Sequence, residues 1–158
     1  LDIMNMVIRM GRIDKINYYL DIAETVTERA TCLRRCWGAV IVKNDEIIST
    51  GYNGAPRGCV NCTDAKSCKR EDLHIPHNER YELCRAVHAE QNALLSAARK
   101  DCIDAIMYIA CVRNHEWVQG AECCDICRKL IINAGIRYVI IRDNNYEQRI
   151  FDVKDWVF

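Results

Sequence analysis

The chain has 158 residues, of which half are hydrophobic and 28% charged, a composition and length that predict a single globular domain over residues 1–158. Lysine plus arginine and aspartate plus glutamate both number 22, and this zero net charge gives no support to nucleic acid as a partner. The apolar runs are too short to cross a bilayer and no signal peptide is recognisable, so we expect no membrane contact and a cytoplasmic protein.

In the first half of the chain, the hydrophobic pattern predicts one helix and one hairpin. Residues 1–12 are expected to be disordered or left over from cloning. The predicted elements that follow are a helix over 14–34, a strand over 38–42, a turn at Asn44–Asp45 and a returning strand over 47–52. Residues 53–84 are rich in cysteine, glycine and charge without a period, which predicts a long loop insertion with a function or a fixed anchor.

In the second half, helices and strands alternate. The predicted elements are a helix over 86–99, a strand over 105–112, a polar loop over 114–122, a helix over 124–133 ended by Gly135, and a strand over 137–141. Residues 143–158 fit either a final strand or a short helix. This order predicts an α/β fold, a three-layer α/β/α sandwich around a mixed sheet of about five strands.

Eleven cysteines need an explanation in so short a chain. Without an export signal, metal binding explains them better than disulfides do. Cys102 and Cys111 lie among apolar residues and are expected to be small buried hydrophobic side chains. The other nine fall into two regions, 32–84 and 123–127, and each region is a candidate metal site.

The second region combines with a His-x-Glu motif that also opens a predicted helix. Two thiols three residues apart, Cys124 and Cys127, can face one metal ion from a first helical turn, where the helix dipole favours thiolates. His88 can supply a third ligand and leave a fourth position for water, which is the layout of a catalytic zinc site. Glu90 can then reach that water without binding zinc. Taken separately, the pair also fits a redox dithiol or two buried thiols, and His88 a packed or capping histidine; together they favour zinc.

These residues resemble the signature of the cytidine deaminase superfamily, His-x-Glu followed by Pro-Cys-x-x-Cys, and within it the deoxycytidylate (dCMP) deaminases. The resemblance covers about residues 16–141 and includes the segments 38–42, 51–58, 84–93 and 127–136. It implies hydrolytic deamination of dCMP to dUMP, in which zinc-bound hydroxide attacks C4 and Glu90 shuttles the protons. A homo-oligomer regulated by dCTP and dTTP is a further expectation from some members of the family.

The resemblance also implies contacts to the rest of the nucleotide. Asn53 is expected to bind the sugar or its surroundings. Arg57 in the same loop is a candidate phosphate contact because a guanidinium suits a phosphate, although a solvated loop arginine fits equally well.

The first cysteine region resembles places where some related deaminases bind a second, structural zinc. The expected ligands are Cys32, Cys62, Cys68 and Cys84, with His74 or His77 as substitutes. Four ligands would explain how the loop insertion is held. The alternative is a set of free thiols in a loop ordered by subunit contacts.

The sequence departs from the family pattern beside the catalytic ligands. Cys123 replaces the proline, and residues 114–122 form a small insertion. Cys123 could compete with Cys124 as a ligand, and the insertion could alter the base pocket. Deamination of another base (tRNA adenosine, guanine or free cytidine), a non-catalytic zinc-binding protein and a thiol-redox protein therefore remain alternatives.

Overall fold

A computed structural model describes residues 11–158, so most of the predicted disordered segment 1–12 lies outside the described residues. The strands are β1 (Cys36–Lys43), β2 (Glu46–Tyr52), β3 (Ile106–Arg113), β4 (Glu116–Trp117), β5 (Tyr138–Arg142) and β6 (Gln148–Asp152). They form one sheet in the order β2-β1-β3-β5-β6, with the short β4 paired to β3. The β3–β5 pair is parallel and the other pairs are antiparallel, which confirms the predicted mixed sheet.

The helices cover both faces of this sheet. They are α1 (Lys15–Thr27), α2 (Cys62–Ala65), α3 (Lys69–Asp72), α4 (Ala89–Leu95), α5 (Arg99–Cys102) and α6 (Asp125–Ala134). Helix α1 packs against β1 and β3 from one side, while α4 contacts β1 and β2 from the other and also packs on α6. The three-layer prediction is therefore confirmed. Among the helices of residues 11–158, none combines the length and hydrophobicity that a membrane span requires.

Alternate residues of the central strands feed two separate cores, as the period of a β-strand requires. The core under α4 and α6 includes Ile41, Met107, Ile109, Val139 and Ile141. The core under α1 includes Leu20, Val40, Tyr108, Ala110 and Ile140. Both faces of β1, β3 and β5 are thus buried, which explains their nearly continuous apolar sequences. Cys102 and Cys111 are each 1% exposed, as predicted.

The predicted hairpin is confirmed. Asn44 and Asp45 have φ angles of 52° and 62°, the left-handed pair that a two-residue turn between twisted strands needs. Asp45 also accepts a 2.5 Å hydrogen bond from the Tyr19 hydroxyl, which connects the turn to α1.

Two predicted helices are longer than the real ones. The predicted helix 14–34 ends at Thr27, where i→i+3 bonds such as Ala30 N–H to the Thr27 carbonyl (3.0 Å) replace the helical pattern. The predicted helix 86–99 is shorter at both ends, from Ala89 to Leu95, and the separate helix α5 begins at Arg99 after the extended backbone of Ala98 (φ −76°, ψ 141°). The periodicity continued through both breaks and did not reveal them.

The predicted loop insertion 53–84 contains α2, α3 and a 3-10 turn at Tyr81–Leu83. A buried arginine fixes part of it, because Arg70 donates from Nη2 to the carbonyls of Pro76 (2.7 Å) and Glu79 (2.8 Å). The tail after residue 143 contains both predicted alternatives, the strand β6 and a 3-10 turn at Val153–Asp155.

Candidate active site

Two helix N-termini bring the predicted zinc ligands together. His88 is the N-cap of α4 and Cys124 the N-cap of α6, and both have extended backbones (φ −71°, ψ 155° and φ −68°, ψ 163°). The side chain of Gln91 fixes the start of α4 by accepting a 2.8 Å bond from the His88 N–H. An N-cap side chain lies at the end of its helix, where the amides carry partial positive charge that suits thiolates.

The three ligand atoms are close enough to bind one metal ion. His88 Nδ1 lies 3.4 Å from Cys124 Sγ and 3.3 Å from Cys127 Sγ. Within residues 11–158, these three form the one group of at least three His, Cys, Asp or Glu ligand atoms that all lie within 4.8 Å of one another. Such spacing fits zinc, whose bonds to nitrogen and sulfur are about 2.0–2.3 Å long. The residues therefore fit the metal that the sequence predicts.

The two thiols differ in their readiness to ionise. A hydrogen bond from Cys127, together with the contact to His88, lowers the pKa of Cys124 to about 4. The pKa of Cys127 is raised because its thiol donates that bond and is buried. Burial opposes protonation of His88, but its contact with Cys124 raises its pKa overall. A thiolate is therefore favoured at Cys124 at neutral pH, which prepares the group for a cation.

Glu90 lies in the first turn of α4, next to the ligand group. Its side chain is 3% exposed, and burial raises the pKa of its carboxyl while the nearby His88 opposes the rise. Hydrogen bonding with Cys123 acts to lower the pKa of Glu90 against the effect of burial, so the residue that replaces the family proline lies beside the predicted proton shuttle.

A cavity of about 560 Å³ opens above this group. His88, Glu90 and Cys124 line it, together with Trp37 and residues 120–122 of the predicted insertion. A cavity of this size falls in the range that binds small organic ligands. The insertion thus borders the site, and Trp117 within it donates a 2.7 Å bond from Nε1 to Glu24 of α1.

The two residues predicted to contact substrate have different places. Asn53 lines the cavity, but its side-chain amide is already hydrogen-bonded to the backbone. Oδ1 accepts from the Trp37 N–H (2.8 Å) and Nδ2 donates to the Arg35 carbonyl (2.9 Å). Arg57 is exposed in a turn and lies outside the residues that line the cavity, so its predicted phosphate contact has no support from the structure.

The second cysteine region borders the same cavity. Cys32, Cys62, Cys68 and Cys84 all line it. Burial raises the pKa of Cys84, and the other three thiols raise it further, so the four lie within electrostatic reach of one another. No three of them meet the 4.8 Å spacing of the first group in the described chain. His77 lines the cavity as well, whereas His74 does not.

Sequence reasoning missed a chain of ring contacts behind His88. The Tyr81 ring meets the His88 ring edge-on, with 5.2 Å between centroids, and the Arg70 guanidinium lies 4.4 Å from the Tyr81 centroid. Arg70 and Tyr81 lie in a four-residue helix and a 3-10 turn, which are too short for a periodic pattern to reveal the contacts. A buried arginine among charged neighbours also has no sequence signature that separates it from a solvated one.

The fold and the site together fit a hydrolase, because a His-Cys-Cys group with metal-binding spacing and a buried carboxylate beside it suit the activation of water. Residues 13–142 match the family described as the cytidine and deoxycytidylate deaminase zinc-binding region. The deoxycytidylate deaminase of Mycobacterium phage D29 is 37% identical over 135 residues, covering 83% of this chain and 96% of the relative. That of Schizosaccharomyces pombe is 32% identical over 125 residues, or 78% of this chain and 35% of the longer yeast protein.

A solved structure gives the same fold. The dCMP deaminase of cyanophage S-TIM5 superposes with a TM-score of 0.58 at 24% identity, covering 86% of this chain and 88% of the other. The chain belongs to the cytidine and deoxycytidylate deaminase family and is a hydrolytic deaminase.

Proposed function

We propose that this enzyme deaminates dCMP to dUMP, with Glu90 as the proton shuttle and with zinc held by His88, Cys124 and Cys127. The observation that carries the proposal is the buried Glu90 carboxylate beside that ligand group at the cavity wall. The relatives from Mycobacterium phage D29 and Schizosaccharomyces pombe are both named deoxycytidylate deaminases, which supports the choice of substrate.

The chemistry exchanges an amine for an oxygen at C4 of the cytosine ring. When bound, zinc supplies a Lewis acid that lowers the pKa of a water molecule towards neutrality. Glu90 takes one proton from the attacking water and delivers it to N3 of the ring. It then takes the remaining proton from the hydroxyl group that has added to C4 and transfers it to the departing amine. The C4–N bond breaks, the water oxygen stays on C4, and ammonia leaves. Burial of Glu90 keeps bulk water away from the carboxylate during these transfers.

A second, structural zinc at Cys32, Cys62, Cys68 and Cys84 is part of the proposal. Two observations support it. Cys32, Cys62 and Cys68 each raise the pKa of Cys84, so the four thiols are near one another, and Cys62 and Cys68 are buried. Closing four ligands around a metal would require their sulfurs to move together, because no three of them share the spacing of the first group in residues 11–158. The predicted cytoplasmic location, homo-oligomer and regulation by dCTP and dTTP stay predictions.

The test is ammonia release from dCMP, dCTP, deoxycytidine and cytidine by purified protein of measured zinc content. We expect dCMP to be the best substrate. Glu90→Gln keeps the shape of the side chain but cannot accept the proton, so kcat should fall by about 10²- to 10⁴-fold with zinc content and folding unchanged. Glu46→Gln, an exposed carboxylate on β2, is the matched control and should act as wild type.

Three outcomes would contradict the proposal. Full activity of Glu90→Gln would remove Glu90 from the chemistry. Zinc present with no ammonia from any of the four compounds would favour another base or a non-catalytic zinc protein. A reversible disulfide between Cys124 and Cys127 without zinc would favour the thiol-redox alternative.

A further inference from the structure

The imidazole of His88 has polar protein contacts through one of its two nitrogens. Nδ1 lies 3.4 Å from the sulfur of Cys124 and 3.3 Å from that of Cys127. Nε2 makes no hydrogen bond to any group in residues 11–158. In metal sites, the second nitrogen of a histidine ligand usually donates to a carboxylate or a carbonyl, and that bond fixes the orientation of the ring. In the described chain, the orientation of His88 therefore depends on the side chains that pack against its ring.

The ring of Tyr81 packs against this imidazole. The two ring centroids are 5.2 Å apart and the ring planes meet at 86°, which is the edge-to-face arrangement that aromatic pairs favour. Both residues line the cavity, so the contact lies at the candidate active site itself. Because an edge-to-face pair is favourable only in certain relative orientations of its rings, Tyr81 restricts rotation of the imidazole while Nδ1 faces the thiols.

Arg70 in turn holds the ring of Tyr81. Its guanidinium carbon lies 4.4 Å from the Tyr81 centroid, within the range of a cation–π interaction. Arg70 is 4% exposed, and its Nη2 donates to the carbonyls of Pro76 (2.7 Å) and Glu79 (2.8 Å). The cation is therefore fixed by the backbone that leads to Tyr81, and its burial strengthens its attraction to the ring.

The backbone before Tyr81 has an unusual conformation. Asn78 and Arg80 both lie in the left-handed region, with φ angles of 66° and 51°. Residues other than glycine keep such angles only where surrounding contacts outweigh the strain. The Tyr81 hydroxyl supplies one of these contacts by donating to Asn78 Oδ1 (3.2 Å), and Arg70 supplies two more at the carbonyls of Pro76 and Glu79.

We propose that Tyr81 is a positioning residue for His88, and that Arg70 supports it. Tyr81 fixes the imidazole by ring contact, in place of the hydrogen bond that Nε2 does not make to the described chain. The loop insertion 53–84 thereby acts on the catalytic centre through one of its ligands. The proposal rests on the proposed function, because it takes His88 as a zinc ligand. A ligand that is already oriented loses less freedom when the metal binds, so the contact should raise the affinity for zinc.

The test separates the ring of Tyr81 from its hydroxyl. Tyr81→Phe keeps the ring contact, whereas Tyr81→Leu removes it and retains an apolar side chain. Zinc affinity is measured by competition with a chromophoric chelator, for the zinc ion that Cys124→Ser lacks. The visible absorption spectrum of the Co²⁺-substituted protein reports the arrangement of the ligands.

For Tyr81→Leu we expect the Kd for zinc to rise about 10-fold, an effect typical of losing an outer partner of a metal ligand, and the cobalt spectrum to change. With zinc at saturation, kcat for dCMP should fall while KM stays unchanged, because Tyr81 acts through His88. Tyr81→Phe should match the wild type in every measurement. The control is Tyr18→Leu, which removes a 47% exposed ring from α1, on the other side of the sheet, and should also match the wild type.

Arg70→Met tests the supporting cation. It should also raise the Kd for zinc, and it should add nothing further in the double variant with Tyr81→Leu, because both residues act through the same ring. Additive effects of the two substitutions would overturn the supporting role of Arg70. Circular dichroism checks the folding of each variant. Tyr81→Met, with a more flexible apolar side chain, carries the same expectation as Tyr81→Leu if the leucine variant does not fold.

Three results would overturn the positioning role while leaving the proposed function intact. The first is a zinc affinity and a cobalt spectrum in Tyr81→Leu that equal those of the wild type. The second is a rise in KM alone, which would make Tyr81 a substrate contact. The third is an equal loss in Tyr81→Phe and Tyr81→Leu, which would assign the effect to the hydroxyl. A wild type that binds neither zinc nor cobalt would overturn the positioning role and the proposed function together.

Discussion

Adjacent cysteines in this site differ sharply in chemistry because their surroundings differ. Cys124 contacts Cys127 and His88, and its pKa falls to about 4. Cys123 is 4% exposed, and burial together with the nearby Glu90 carboxylate raises its pKa well above the ordinary value. Zinc binds thiolates, so the environment favours Cys124 as the ligand and leaves Cys123 as a protonated donor to Glu90.

The zinc content of serine variants tests this distinction. Cys123→Ser keeps a hydroxyl donor beside Glu90 and should retain the wild-type zinc content. Cys124→Ser should lose one zinc per chain, because a hydroxyl does not replace a thiolate as a ligand. The measurement is elemental analysis of the purified variants, with circular dichroism as the check of folding. The reverse pattern, zinc lost from Cys123→Ser and kept in Cys124→Ser, would show that Cys123 is the ligand.

At the scale of elements, the site depends on how closely α4 approaches the sheet. A Cβ added to Gly51 of β2 would lie 2.3 Å from both the Ala89 carbonyl oxygen and the Ala93 amide nitrogen. Both clashing atoms belong to the backbone and cannot rotate away. Only glycine at this position therefore allows the spacing that puts His88 and Glu90 at the cavity.

Gly51→Ala should accordingly damage both stability and activity. Overpacking of this kind costs about 1–3 kcal/mol or more, and the displacement of α4 should lower kcat and zinc content together. Urea unfolding and ammonia release are the measurements. Gly11→Ala is the matched control, because apart from its chain neighbours no atom of the described residues lies within 4 Å of the new Cβ. Wild-type stability and turnover in Gly51→Ala would show that α4 does not need this close contact.

At the scale of the whole molecule, a buried charge network connects distant parts of the chain. Arg142 of β5 is 1% exposed and donates to Asp21 (2.7 Å), Glu24 (2.9 Å) and the Asn17 side chain (2.9 Å) of α1. Glu24 also accepts from Trp117 of the insertion. The network thus ties the first helix to a late strand and to the loop that borders the cavity.

Neutralising both acidic partners, in the variant Asp21→Asn/Glu24→Gln, should leave Arg142 as an uncompensated buried charge. We expect the free energy of unfolding to fall by about 3–5 kcal/mol, the cost typical of breaking a buried ion pair from one side. Urea denaturation gives the measurement, and Glu28→Gln, an exposed carboxylate just beyond the same helix, provides the control. A loss no larger than that of the control would mean that the ion pairs contribute little to stability.

The sequence by itself determined the features that depend on residues close together in the chain: the turn, the strand period and the spacing of the site motifs. Asn44 and Asp45 tolerate the left-handed backbone of a tight turn, and the strands around them alternate with the period of two that a sheet requires. His88-x-Glu90 and Cys124-x-x-Cys127 each place their side chains at the start of one helix. Their spacing in the sequence was therefore enough to predict the candidate site. Helix ends were less secure, because the apolar period ran on where hydrogen bonding had already changed at Thr27.

The tertiary structure alone decided which distant groups meet. Arg35 and Arg57 look equivalent in the sequence, yet only Arg35 lines the cavity, because the Asn53 amide fixes its backbone at the start of β1. Arg70 becomes a buried charge only when its loop folds over it. Such contacts join residues through irregular segments without periodicity, and the burial that gives these charged groups their properties arises only when the whole chain is packed.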